Sequence, residues 1–595
     1  MKAKWIKVLS LVLCFAMVFG GVIYSQAEPG AAVYKPGTYT ATAKGNNGDV
    51  TVEVKFNANS MVSAKVIKHS ETAGLSDAPI ARIPQAVVAG QTLAVDTVAG
   101  ATVVSNAILA AIEQCVVQAG GNVSALKGKK AEANTVKSET QLTTDVVVVG
   151  AGGTGLTAAA SAYQNGADVI VLEKLAYVGG STALSGGSIS ATGTKFQKAE
   201  GIADTKESWM KLWKERQAAS NPSSIYPDYK RVDKFMDEAV KTTEWLVDYV
   251  GHQYGNIGGF GVDPVRRLHN PKPNGKATNG SALIQNIERF VRGKGIRILT
   301  ETPATELLTN SKGDVVGVLA KGKDGNIRIS AKKVILATGG YAKNEELLER
   351  FIPKAAGTAK LSAASAGSTG DGIIMAENIG AALYEDPWVI GLSIASTIKG
   401  TEGMPWDWTK VYVNERGERY VNEQSHYAIV TNKAMEQGIT WVIVDSSKAN
   451  EALIASLEAA MPSKEVVKAN TLDALAREMY VPADTFVKTM ETFNNGVKAG
   501  KDVMGKEKQL LVAVEKAPYY AVRFYPRTMG TFAGVKTDET FRVLRKDGTV
   551  INNLYAGGEC ANKIMYNQVY MTGSAVQYAL TSGRIAGKHA AQNLK

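Results

Sequence analysis

Cysteine is almost absent: Cys14, Cys115 and Cys560 are the only three in 595 residues. That number cannot build a disulfide framework. No C-x-x-C-H run is present to attach a c-type haem, and no cysteine cluster offers an iron–sulfur or zinc site. Redox chemistry outside a membrane would therefore have to run on flavins or a similar organic group. Long apolar runs are as scarce. Only residues 8–23 approach the roughly 20 apolar residues that a membrane span needs. Lys2, Lys4 and Lys7 precede that run and Ser25-Gln26-Ala27 follows it, which predicts an exported chain with a signal peptide over 1–27; an uncleaved anchor is the alternative. Cys14 follows Val12-Leu13, a poor lipoprotein context. Internal repeats and low-complexity tracts are missing. The net charge of +11 includes three signal lysines, leaving about +8, modest for this length, and no nucleic-acid partner is expected.

What is present divides into units. TYTATAKG, DVTVEVKF and MVSAKVIK alternate apolar and polar residues, the period of half-buried strands, with a hairpin-like turn at Asn46-Asn47-Gly48-Asp49. Residues 103–119 read as a helix, closing a small domain over 28–122. Residues 123–143 are polar and lysine-rich and read as a linker. DVVVVG at 145–150 opens a second domain as a fully buried parallel strand. KKVILATGG (332–340) and NLYAGGE (553–559) repeat the strand-to-glycine pattern. Between them the composition shifts toward tryptophan and amphipathic helix, which predicts an inserted domain over 387–526, within a larger domain made of 144–386 and 527–595.

Gly150, Gly152 and Gly155 form G-x-G-x-x-G between a strand and an Ala-rich helix, and Glu173 ends the next strand eighteen residues after Gly155. The glycines permit a tight turn and close approach of a pyrophosphate, the helix N-terminus faces its charge, and the glutamate accepts ribose hydroxyls. Strand, helix and acid together make this a dinucleotide site.

Glu173-Lys174 leads into VGGSTALSGGSISATGT, a second small-residue loop suited to an isoalloxazine ring. With GAGGTG, LATGGY, STGDG (368–372) and AGGE (556–559), residues 144–595 resemble the flavoprotein family of soluble fumarate reductases, urocanate reductases and ketosteroid dehydrogenases. The resemblance implies an α/β fold: a Rossmann-like, non-covalent FAD-binding domain with an inserted α+β capping domain over the substrate. It also implies cofactor contacts at Gly150, Gly152, Gly155, Glu173, Lys174, Gly180, Ser181, Thr182, Gly186, Gly187, Gly339, Asp371, Glu559 and Ser574. Upstream, His69-Ser70-Glu71-Thr72 with VDTVAGAT and Ser105 resembles the small α+β FMN-binding domain of flavinylated redox proteins. That resemblance implies covalent FMN, joined through its phosphate to Thr102 by a flavin transferase. An accessible hydroxyl, room beside Gly100 and Ala101, and a helix N-terminus for the phosphate fit this. A plain helix N-cap is the alternative for Thr102.

The reacting residues depart from the fumarate pattern. VYVNERGERYVNEQSHYAIV resembles the family's N-x-x-G-x-R-[F/Y]-x-N-E stretch, but Tyr427, with His426 beside it, stands where the proton-donating arginine lies five residues after Asn422. The acid–arginine relay would fall near Gly403 and Trp406 and is absent. Leu392 stands at the substrate histidine after Trp388-Val389. Pro526 or Arg527 replaces the histidine pair, and Gln568, with two extra residues after it, the second arginine. Fumarate is thus not expected. Tyr427 is the candidate proton donor, tuned by His426 or Arg527, with Arg527 the cation for one carboxylate or carbonyl. As alternatives, Tyr427 is a core aromatic, His426 a structural hydrogen-bonder, Arg527 the partner of a capping-domain acid, and Trp406 and Trp408 packing residues. His269 in RRLHNP is assigned no catalytic role. The expected activity is reduction of the activated C=C bond of a small α,β-unsaturated carboxylate or enone. Electrons from a membrane-associated donor would pass through FMN to FAD in anaerobic respiration. A ketosteroid-type dehydrogenase and a non-enzymatic surface electron carrier are the alternatives.

Overall fold

The computed structural model describes residues 33–128, 139–261, 263–323 and 325–594; the expected signal peptide and residues 129–138 of the expected linker lie outside them. The small domain is an antiparallel sheet of Gly37–Lys44, Asp49–Phe56 and Met61–Lys68 in sequence order. Alternation in the middle strand sends Val50, Val52, Val54 and Phe56 inward, all at most 2% exposed, against the helices Asp77–Gly90 and Thr102–Gln118. The second helix answers with Val104, Ile108, Ala111, Ile112 and Cys115 on one face. Residues expected to be linker form a helix, Val123–Gly128, whose Leu126 packs on this core.

The large domain is built on an eight-stranded sheet. At its centre Thr140–Val149 lies parallel to Gly325–Leu336 on one side and Val169–Leu172 on the other. Val146 to Val149 are at most 3% exposed because both faces are covered, which is why the run is apolar without alternation. The helix Gly153–Gln164 follows and packs on the C-terminal helix Ser574–Gln592. A hairpin, Tyr254–Phe260 and Asp263–Pro271, pairs with Ile189–Ser190. His269 on it is fully buried, its ring nitrogens bonded to Thr194 Oγ1 (2.9 Å) and the Arg267 carbonyl (3.0 Å), a structural position.

The inserted domain is a five-stranded antiparallel sheet with apolar clusters on its two faces. Its longest strand, Tyr519–Phe532, runs on past residue 526, so no break occurs at that expected boundary. The far end of this strand enters the large domain, where Thr531 N–H donates to Glu559 (3.1 Å). Inside the inserted domain Glu423 is held by Arg419 (2.9 and 2.7 Å) and by Lys506 (2.9 Å), all with side chains 5% exposed or less. Arg419 and Glu423 of the RYVNE stretch are thus part of a buried ion cluster.

Candidate active site

The strand Thr140–Val149 ends in Gly150, at φ +104°, a turn that only glycine takes without strain. Gly155 is a packing position: a Cβ there would come 1.8 Å from the Gly150 carbonyl. Gly152 is different. A Cβ on it would meet no protein atom nearer than 3.9 Å, so its bare Cα is left open toward the cavity it walls. Gly150, Glu173, Lys174, Gly180, Ser181, Thr182, Gly339, Asp371 and Glu559 wall the same cavity; Gly155 stands behind it. Glu173 accepts from Ala151 N–H (2.9 Å) and Leu175 N–H (2.8 Å), and burial raises its pKa. Two of its roughly four acceptor positions are thereby used, and the rest remain for ligand hydroxyls. Lys174 Nζ ties to Asp371 (2.7 Å) across the cavity rim.

A second cavity, of about 390 Å³, continues from the first and shares Ser181, Thr182, Glu559 and Ala579 with it. Gly186 and Gly187 wall this lobe. Ser574 walls neither; its hydroxyl pairs with Tyr566 Oη (3.0 Å), and Tyr566 is the wall residue. Two joined lobes, one on a glycine turn at a helix N-terminus and one under the inserted domain, fit an extended dinucleotide carrying a three-ring head. Burial pushes the Glu559 carboxyl up to about 7, against the pull of the Thr531 and Gly340 amides.

Tyr427, at the start of the helix Tyr427–Met435, walls the far side of the second cavity. Its hydroxyl is hydrogen-bonded to that of Tyr570. Burial pushes Tyr427 up to about 12 and Tyr570 well above its ordinary value, so both hold their protons at neutral pH. Behind them Asp263 accepts from Thr572 N–H (2.9 Å) and pairs with Arg216 (2.6 Å). His426 lies behind the cavity wall. Its Nδ1 accepts from Ala428 N–H (3.2 Å), and burial together with Arg216 lowers its pKa to about 3, so it is a neutral helix cap whose ring lies 4.1 Å from the Tyr427 ring, tilted by 30°. Arg527 is exposed beside Lys343 and does not wall the cavity. Leu392 and Trp406 do; Trp408 and Gln568 do not. Tyr570 was not anticipated. It lies two residues after Gln568, where the chain departs from the family pattern it resembles, and that departure is the signal that could have found it.

Thr102 is exposed, and it is the first helical residue; Ala101 holds the N-cap position. Ser105 closes the loop, accepting from Val98 N–H (3.1 Å) and donating to the Ala101 carbonyl (2.9 Å). Gly100 does not serve to leave a space: a Cβ there would fall 2.7 Å from Tyr177 Oη, which donates to its carbonyl (3.0 Å). Leu175 and Tyr177, just beyond Glu173, are buried in the small domain's core, and Arg82 pairs with Glu301 alongside. The Thr102 loop is therefore docked on the segment that also builds the dinucleotide cavity. Among the described residues no group of ligands fits a metal ion and no helix is long and apolar enough to cross a membrane.

The fold and the two-lobed cavity define an FAD-dependent oxidoreductase with an inserted capping domain. Comparison with known proteins bears this out: the FAD binding domain family matches residues 145–575, and the chain belongs to it. An FMN-binding domain matches residues 45–117. Urocanate reductase of Eggerthella lenta is 32% identical over 95% of this chain and 94% of its own length. NADH:acrylate oxidoreductase of Vibrio harveyi is 29% identical over 94% of this chain, which spans only 61% of that relative. Vinyl phenol reductase of Lactiplantibacillus plantarum is 29% identical over 75% of this chain and 96% of its own length. Among solved structures, an open flavocytochrome c3 fumarate reductase (TM-score 0.60, 27% identity) covers 78% of this chain and 79% of its own. The 3-ketosteroid-Δ4-(5α)-dehydrogenase of Rhodococcus jostii RHA1 (TM-score 0.61, 25%) covers 78% and 99%.

Proposed function

We propose that the chain is an exported reductase of an activated C=C bond, fed with electrons through FMN attached to Thr102. The observation that carries this is the Tyr427–Tyr570 hydroxyl pair facing the head lobe of the FAD cavity. Reduced FAD, when bound, supplies a hydride to the alkene carbon remote from the activating group. Tyr427 holds a proton at its hydroxyl, and the hydrogen bond with Tyr570 eases its release toward the other carbon. The capping domain excludes water from that transfer. Relatives named for acrylate, urocanate and vinyl phenol reduction support the reaction class. Electrons enter from a membrane-associated donor through the small domain and reach the cavity across the Gly100–Tyr177 contact. The lysine-flanked apolar N-terminus supports export, and the exposed Thr102 at a helix N-terminus supports flavin transfer there.

The test is anaerobic. The flavinylated protein is reduced and mixed with enoates and enones. Rapid flavin reoxidation by one alkene is expected; no response to any alkene defeats the reading. The tyrosine pair and the likeness to a ketosteroid dehydrogenase favour the reverse direction as a second reading, and bleaching of the oxidised enzyme by a saturated ketone would establish it. Mass spectrometry of the 96–105 peptide, after co-expression with a flavin transferase, should find an FMN adduct. An unmodified peptide removes Thr102 from the electron path.

A further inference from the structure

The composition of the reaction cavity specifies what enters it. Its outer wall is a row of aromatic rings in contact. Phe260 stands edge-on to Trp406 (centroids 6.0 Å, 81°), Trp406 edge-on to Tyr427 (5.3 Å, 76°), and Tyr427 meets Tyr570 (6.0 Å, 67°). Phe260 comes from the hairpin of the FAD-binding domain and Trp406 from the capping domain, so the row bridges the cleft between them. Both wall the cavity, and both remain over 40% exposed. Large apolar side chains left open and adjacent on a folded protein mark a place where an apolar partner sits.

Charge points the same way. Among the described residues no lysine, arginine or histidine walls this cavity, and its one ionisable carboxyl is Glu559. A carboxylate entering would lose its water and meet no cation. The polar groups around Tyr427 are its own hydroxyl and those of Tyr570 and Thr572. Of the two tyrosine hydrogens, one is used between the pair, which leaves one for an acceptor oxygen.

We infer, resting on the alkene-reductase reading above, that the substrate is an uncharged aryl enone. Its aryl ring lodges against Phe260 and Trp406, and its carbonyl–Cα end faces the Tyr427–Tyr570 hydroxyls. Phe260 and Trp406 are then specificity residues. The reaction adds two electrons and two protons across the C=C bond. A hydride equivalent reaches the β-carbon as the reduced flavin is oxidised, and a proton from the tyrosine pair reaches the α-carbon and is replaced from solvent. The carbonyl is unchanged.

Three probes separate the contributions: 4-phenylbut-3-en-2-one, cinnamate (same skeleton, carboxylate in place of the ketone) and pent-3-en-2-one (methyl in place of phenyl). Binding to the oxidised holoenzyme is followed through the flavin spectrum, and turnover separately through reoxidation of the reduced enzyme. The aryl ketone is expected to bind at least 100-fold tighter than cinnamate and at least tenfold tighter than pent-3-en-2-one. Phe260→Ala and Trp406→Ala should each shrink the aryl-over-methyl ratio at least tenfold, in protein whose flavin content matches the parent. Binding of cinnamate as tight as the ketone overturns the inference, as does an aryl preference that survives both substitutions. Ketone-selective binding without any reoxidation upholds the ligand class and defeats the reductase reading. Preferential reoxidation by cinnamate keeps the reductase reading and defeats the ligand class.

Discussion

The sharpest prediction concerns the tyrosine pair, because it treats two hydroxyls 143 residues apart as one unit. A positioned general acid contributes about 10²- to 10⁴-fold to a rate, or about 3–5 kcal/mol of barrier. Tyr427→Phe removes the proton and keeps the ring, so the packing against Trp406 and His426 survives. Its reoxidation rate should fall by that full range. Tyr570→Phe leaves the donor but removes one partner that eases its release; a buried hydrogen bond of about 0.5–1.5 kcal/mol predicts a loss of up to about tenfold. In the double variant the partner has nothing left to assist, so its rate should match that of Tyr427→Phe. The assay is single-turnover flavin reoxidation by stopped flow, with flavin content measured for each variant. Tyr427 is pushed up to about 12 by burial, so the donor stays protonated and its contribution should be flat from about pH 6 to 9. Fully multiplicative losses, or Tyr427→Phe within about threefold of the parent, would refute a shared proton-donating role.

Arg527→Ala should change kcat/KM by less than about threefold for the preferred alkene, since its side chain is outside the cavity wall; a hundredfold loss would restore it as a substrate cation. Tyr177→Phe should weaken docking of the small domain by about 0.5–1.5 kcal/mol and slow electron delivery from FMN to FAD, while reoxidation of directly reduced FAD by alkene keeps its parent rate; equal slowing of both steps would refute the assignment. Glu559 gives a pH signature in the flavin-free protein. Its folded pKa of about 7 lies above the ordinary carboxylate value, so its contribution favours the fold below about pH 4.5 and is progressively lost as pH rises through 7. The loss is at most about 3 kcal/mol, less where cavity water solvates the carboxyl. Glu559→Gln should flatten the fall in melting temperature between pH 5 and 8, and an unchanged slope would assign that fall elsewhere. Glu423→Ala should cost about 3–5 kcal/mol in urea unfolding, because it strands Arg419 and Lys506 in the interior.

The dinucleotide turn was legible because its constraints are local. Gly150, Gly152 and Gly155 and the end of the next strand lie within 24 residues, and a helix N-terminus follows from them directly. The reaction cavity was legible only in part, since its walls meet through long-range packing. Arg527 illustrates the limit. In a regular strand it would share the face of Met529, which walls the cavity, but the pairing with Trp388–Ala395 slips on either side of Gly391 and the alternation fails there. Gly100 illustrates another: its missing side chain answers to Tyr177, 77 residues away, and nothing in AGAT identifies that partner. Thr102 itself, exposed on the first helical turn, keeps the accessibility that its motif implies.

The departures from the fumarate pattern also bear on whether the site has decayed. The family resemblance would set Leu392 and Tyr427 at the positions of a histidine and the proton-donating arginine, and the acid–arginine relay near Gly403 and Trp406. Leu392, Trp406 and Tyr427 wall one cavity, and Tyr570 walls it with them. Independent loss of function would scatter such changes and let the vacated space close, because exposed apolar surface costs on the order of 25 cal/mol per Å². Here the cavity of about 390 Å³ remains, with Phe260 and Trp406 open at its edge. Arg527 and Gln568 lie outside that wall, while the side chains that form it on this side are rings and hydroxyls that touch each other. An open, ring-lined cavity supports the proposed alkene reductase over a carrier that has lost its chemistry.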